Sequence, residues 1–109
     1  LQGNLDVLDQ DYDGGSFIAE DASVAENAQV DRSVVDAGAT ISDSALLIES
    51  VILPGAVIER GATVERSIVG ENAVVGVDAK LVNLSVVGAS LSVPAGAELD
   101  QEKVNPSNT

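Results

Sequence analysis

The chain repeats itself every 17 residues. Ala22, Ala39, Ala56 and Ala73 are 17 apart; so are Ala28, Ala45, Ala62 and Ala79, and so are Ser16, Ser33, Ser50 and Ser67. The large aliphatics keep the same beat, as in Ile18, Val35, Ile52, Val69, then Val24, Ile41, Ile58, Val75, then Val30, Leu47, Val64, Leu81. Six columns holding over four repeats mean that one structural unit is stacked on copies of itself.

The inner spacing says what the unit is. Within each repeat the aliphatics step by 6, 6 and 5, as from Ile18 to Val24, Val30 and Val35. A step of six is a short strand plus a corner. Residues two apart in a strand point the same way, so Ala39 and Ile41 face inward and Thr40 between them faces out. The small residue sits near the corner where two walls converge, and the larger one fills the centre. Three strands close a triangle, and the next repeat begins the next rung. The inward aliphatics from Ile18 to Leu99 number fifteen, which makes five triangular rungs. The last rung is less regular: Leu81 to Val87 takes six residues, and Leu91 replaces a small one. An amphipathic helix could also carry a period near 17, but the dominance of Val, Ile, Thr and recurring Gly disfavours it.

The corners agree. The positions before each small inward residue read Asp21, Asn27, Gly38, Gly55, Gly61, Asn72, Asp78 and Gly96, with Ser44 and Ser90 departing from the pattern. Gly, Asn and Asp are the residues that tolerate left-handed backbone angles. The five-residue step replaces that corner with Arg32, Glu49 and Arg66; being tighter, it is not expected to need positive φ. Opposite charges on successive rungs there attract across the corner.

Composition fits a narrow, regular interior. Hydrophobic residues make up 45% of the 109, yet there is one Phe (Phe17) and one Tyr (Tyr12). Small aliphatics alone cannot fill a wide core at native density. A net charge of −13 with five basic residues argues against nucleic acid and against anionic membrane surfaces. No apolar run is long enough to span a bilayer, and no signal peptide is indicated. The absence of Cys is compatible with a reducing cytoplasm, the expected location, and acid-rich, lysine-poor composition also suits a high-salt one. The chain opens at Leu1 without Met, so a fragment or processed protein is expected.

The ends depart from the repeat. Leu1–Leu8 places apolar residues at 1, 5 and 8, a helical spacing, and residues 9–15, "DQDYDGG", read as a linker with a turn. Residues 100–109 are polar, contain Asn-Pro and are expected to form a flexible tail. The expected organisation is therefore a short helical and linker segment over 1–15, a β-solenoid over 16–99 and a tail.

The beat aliphatic–x–x–x–small–x resembles the hexapeptide repeat of left-handed parallel β-helices over Ser16–Leu99. The resemblance, not the spacing, implies the left hand. Within that fold, "SVILPGAVIERGATVERSIVGENAVVG" is similar to the carboxy-terminal β-helix of sugar-1-phosphate nucleotidyltransferases. The likeness rests on Ser–aliphatic–aliphatic after each short corner: Ser33-Val34-Val35, Ser50-Val51-Ile52 and Ser67-Ile68-Val69. It implies that "LQGNLDVL" is the end of a preceding catalytic domain. The family's Gly-rich nucleotide loop and acidic metal ligands are not in this chain. The implied role is thus an oligomerising or regulatory domain with no catalytic residue, cofactor or metal of its own, magnesium belonging to the catalytic domain. Mannose-1-phosphate guanylyltransferase is the first expectation for the parent, glucose-1-phosphate adenylyl- or thymidylyltransferase the second.

Other functions of the fold fare worse. Hexapeptide acyltransferases resemble it but depend on a His general base, and a zinc carbonic-anhydrase-like member needs His ligands; the chain has no His. An ice-binding or scaffold solenoid wants a flat Thr ladder, and only Thr40 and Thr63 lie outward, on different walls. Arg32, Arg60 and Arg66 are candidates for a phosphorylated effector, against eighteen acids.

The outward positions differ by wall. One carries Ser23, Thr40, Val57, Val74 and Ser92, another Gln29, Leu46, Thr63, Lys80 and Glu98. The wall after the short corner carries Phe17, Val34, Val51, Ile68 and Val86, apolar at every rung. Strand propensity alone does not explain that asymmetry. These five residues are the expected interface, either with another copy or with the parent's catalytic domain.

Overall fold

The computed structural model describes residues 16–104; the helix and linker expected over 1–15 lie outside them. The described chain is a parallel β-solenoid of about five turns, left-handed, with no helix among the described residues. Its sixteen short strands, numbered in chain order, form three parallel sheets. The first wall holds β1 (Phe17–Ile18), β4 (Val34–Val35), β7 (Val51–Ile52), β10 (Ile68–Val69), β13 (Val86–Val87) and β16 (Lys103–Val104). The second holds β2 (Ser23–Val24), β5 (Thr40–Ile41), β8 (Val57–Ile58), β11 (Val74–Val75) and β14 (Ser92–Val93). The third holds β3 (Gln29–Asp31), β6 (Leu46–Ile48), β9 (Thr63–Glu65), β12 (Lys80–Val82) and β15 (Glu98–Asp100).

Register follows the 17-residue beat. Val35 pairs with Ile52, Ile41 with Ile58 and Leu47 with Val64. These side chains, with Val69, Val75, Leu81 and Val87, are buried along the axis, and Ala39, Ala45, Ala56, Ala62, Ala73 and Ala79 fill the narrow angles between walls. The core is a column of aliphatic triangles stacked about 4.8 Å apart. The first coil is its thinner end, since Ile18, Val24 and Val30 are only partly buried.

Each six-residue step turns through a hydrogen-bonded β-turn. At Leu53-Pro54-Gly55-Ala56 the Ala56 N–H donates to the Leu53 carbonyl at 3.2 Å and Gly55 has φ 76°. Pro fits the second place of such a turn and Gly the third, where φ is positive. Ser44 (62°) and Ser90 (63°) occupy the same left-handed region, so they break the composition pattern without breaking the geometry. Asp21 and Asn27 carry no positive φ; their side-chain oxygens instead accept the N–H of Gly38 and Ser44, one coil on, at 3.1 Å.

Two expectations are corrected here. The short corner does use the left-handed region: Arg32, Glu49 and Arg66 have φ of 48°, 49° and 49°. One residue must reverse the chain between a strand of the third wall and the serine that opens the first. The conformation is fixed by backbone bonds from Glu49 N–H to the Asp31 carbonyl (2.9 Å) and from Arg66 N–H to the Ile48 carbonyl (2.7 Å). The other concerns the carboxy-terminal boundary. Residues 98–100 complete β15, and β16 at 103–104 pairs with β13 through Val86↔Lys103 and Val87↔Val104. The solenoid thus continues past Leu99. Polar Gln101 and Glu102 stand at a corner, where polarity says nothing against a following strand.

Candidate interaction surface

Phe17, Val34, Val51, Ile68 and Val86 fall in one ladder. Phe17 pairs with Val34, Val34 with Val51, Val51 with Ile68 and Ile68 with Val86. Alternation places each beside a buried partner, so each side chain points outward from the first wall. Phe17, Val34 and Ile68 are 40%, 37% and 41% exposed; Val51 and Val86 are half-buried. The row ends at Lys103, paired with Val86. Across about 20 Å it presents aliphatic and aromatic carbon without a charge.

The other walls differ as their sequences imply. Thr40 stands on the second, beside Val57, and Thr63 on the third, between Leu46 and Lys80. No Thr ladder forms on either.

A row of buried serines runs behind the apolar wall. The Ser16 hydroxyl accepts the Ser33 N–H (3.0 Å), Ser33 accepts Ser50 (3.0 Å), Ser50 accepts Ser67 (3.1 Å) and Ser67 accepts Ser85 (3.2 Å). Ser85 accepts the Glu102 N–H at 3.2 Å. Ser33, Ser50 and Ser67 each donate back to a carbonyl two residues earlier, those of Asp31, Ile48 and Glu65, at 2.8–2.9 Å. The hydroxyls satisfy backbone groups that a buried corner would otherwise leave unpaired. The Ser column is plain in the sequence; its role is not, because Ser at an inward corner also reads as a small filler.

The short corner edges this wall. Arg32 reaches Glu49 on the next rung at 3.3 Å and Asp31 at 3.6 Å. The alternation stops there: Arg66 does not pair with Glu49 but donates to the Asn83 Oδ1 at 2.8 Å, and Asn83 donates to Asp100 at 3.0 Å. Arg32 and Arg66 are two rungs apart and Arg60 lies on a different corner, so the three arginines form no common cluster. One residue is inserted at the next corner, where Ser67 to Ser85 spans 18. Asn83 (φ 58°) and Leu84 (φ 72°) are both left-handed, and Leu84 is 70% exposed. Together with Arg66 and Gln101 they line a notch of about 220 Å³. The stretched interval was visible in the sequence as an irregular rung; the exposed leucine it creates was not.

The family model for the GMPPB C-terminal domain matches residues 12–109. No curated protein sequence matches the chain. Among solved structures, the acetyltransferase domain of PglB from Neisseria gonorrhoeae FA1090 is similar at 20% identity and a TM-score of 0.51, covering 89% of this chain and 60% of that one. A perosamine N-acetyltransferase variant from Caulobacter crescentus, in complex with CoA and GDP-perosamine, is similar at 19% identity with a TM-score of 0.47, covering 94% and 57%. The chain thus spans less than two thirds of the length of these solved relatives, and at such identity the PglB likeness is one of fold.

Proposed function

The chain belongs to the GMPPB C-terminal domain family, and from that membership we propose that it is the non-catalytic carboxy-terminal β-helix of a sugar-1-phosphate nucleotidyltransferase, working as an assembly surface. Mannose-1-phosphate and GTP are the substrates we assign to the parent enzyme. Catalysis and its magnesium belong to the parent's other domain. The observation that carries the assembly role is the uninterrupted row Phe17, Val34, Val51, Ile68, Val86 on one wall, against mixed rows on the other two. Contiguous apolar surface on an otherwise charged protein marks an interaction site. The acidic surface elsewhere leaves this wall as the preferred contact.

Two experiments test the reading. Val51→Asp with Ile68→Asp changes only outward side chains, so the melting transition should survive while light scattering of the native protein shows a smaller mass. A double variant that keeps the wild-type mass overturns the assembly role. The full-length gene product should form a nucleotide sugar from mannose-1-phosphate and GTP; turnover of glucose-1-phosphate with ATP or dTTP instead would reassign the substrate.

A further inference from the structure

Each arginine bordering the apolar wall has an acid across the wall on its own rung. In Arg66-Ser67-Ile68-Val69-Gly70-Glu71, the outward Ile68 is flanked by Arg66 at the short corner and Glu71 at the opposite corner. In Arg32-Ser33-Val34-Val35-Asp36 the outward Val34 lies between Arg32 and Asp36. On the rung of Val86, exposed Leu84 stands on one edge and Gly88 on the other. Arg66 and Glu71 are exposed, and neither has an ion pair among the described residues.

Positive on one edge and negative on the other at equal height is the pattern that a two-fold axis parallel to the solenoid axis satisfies. Such an axis, lying between two facing walls, keeps rung height and exchanges the edges. We propose that the apolar wall pairs with the same wall of a second copy about this axis, with Arg66 meeting the partner's Glu71 and Arg32 meeting the partner's Asp36. The proposal rests on the reading of this wall as an assembly surface and adds its partner and orientation. Leu84 then lies over the partner's Gly88, where no side chain opposes it. Of the remaining edge charges, Glu49 faces the partner's Leu53 and keeps its own Arg32 at 3.3 Å, and Glu20 stands at the end of the row beside Phe17. Among the described residues no carboxylate is set against a carboxylate. The antiparallel alternative would direct Arg66 to the partner's Glu49 and leave Glu71 facing the partner's uncharged Leu53-Pro54 corner. Net charge of −13 opposes association in general, but at about 0.15 M salt charges beyond roughly 8 Å are screened and only neighbours count. A contact one wall wide falls at the small end of specific interfaces, below about 1,200 Å² in total, so the dimer should dissociate on dilution.

The test is sedimentation velocity of the whole chain over a concentration series at 0.15 M salt. Arg66→Glu should raise the dimer dissociation constant about tenfold, and Arg66→Glu with Glu71→Arg should return it to within about threefold of wild type. Arg66→Gln, which loses the charge but keeps a donor for Asn83, should fall between them if Arg66→Glu folds poorly. Ile68→Asp should abolish the dimer. Dissociation by Ile68→Asp with no effect of Arg66→Glu leaves the assembly surface standing and overturns this pairing. Restoration by Glu49→Arg in place of Glu71→Arg overturns the orientation in favour of the antiparallel one. A wild type that stays monomeric throughout overturns the second copy as partner.

Discussion

The backbone N–H of Ser50 donates to the hydroxyl of Ser33, one coil earlier, at 3.0 Å, and both residues are 98% buried or more. Removing the hydroxyl leaves a donor with no water to replace it. Ser33→Ala should therefore cost about 1–3 kcal/mol, the range for orphaning a buried polar group. Urea unfolding of the variant gives the value; a loss within error of zero would mean that the corner relaxes to another acceptor.

Gly76 and Gly96 should respond differently to a methyl group. A Cβ on Gly76 would stand 2.6 Å from the Ala95 nitrogen and 2.7 Å from the Val93 oxygen. These are backbone atoms held in the ladder, so Gly76→Ala forces two coils apart and should cost about 1–3 kcal/mol or more. Gly96 has open space around it but φ of 74°, so Gly96→Ala carries only the left-handed penalty of about 1–2 kcal/mol. Thermal melts of both variants check the order; a loss at Gly76 no larger than that at Gly96 would mean that the neighbouring coil yields to the methyl group.

Leu47 and Leu84 are two leucines with opposite expectations. Leu47 is fully buried at the centre of a coil, and Leu47→Ala should cost about 2–5 kcal/mol through transfer and cavity. Leu84 is 70% exposed at φ 72°. Leu84→Gly removes left-handed strain and should stabilise the monomer by up to about 1 kcal/mol, offset in part by the entropy of the unfolded glycine. A destabilised Leu84→Gly monomer would show that this leucine packs on its own chain.

The Arg32–Glu49 pair bridges two rungs at 3.3 Å on a solvent-facing edge. Glu49→Arg places like charges there and should cost only about 0.2–1 kcal/mol. The lowered melting temperature should appear at low salt and vanish near 1 M, where the screening length is about 3 Å. An unchanged melt at low salt would remove any role in holding register.

Most of the architecture was readable because stacked coils repeat their chemistry. Each inward column must be aliphatic at every rung, so Val35, Ile52 and Val69 announce one another across 17 residues. What stayed hidden depends on closure in three dimensions. Arg32, Glu49 and Arg66 gave no sign of positive φ, since that angle is imposed by bonds to the preceding coil and not by the residue type. The strand at Lys103–Val104 is too short and polar to be told from a terminus until Val86 and Val87 are seen beside it. The serine ladder and the edge-to-edge match of Arg66 with Glu71 require knowing which residues share a height. No catalytic group was expected from the residues of this chain, and the surface that is proposed instead was the part of the site most open to sequence reasoning.

The ladder reaches six strands on the first wall and five on each of the others. The top of the solenoid is therefore a step, not a flat face: above β13 the chain has begun a coil that the described residues do not finish. Every coil meets only the one before and the one after, so protection of backbone amides from solvent exchange should form a gradient along the axis. Central amides in β7–β10 should exchange only on complete opening. Those of the first coil, over the half-covered Ile18, Val24 and Val30, should exchange through fraying, as a zip opens from one end without disturbing its middle.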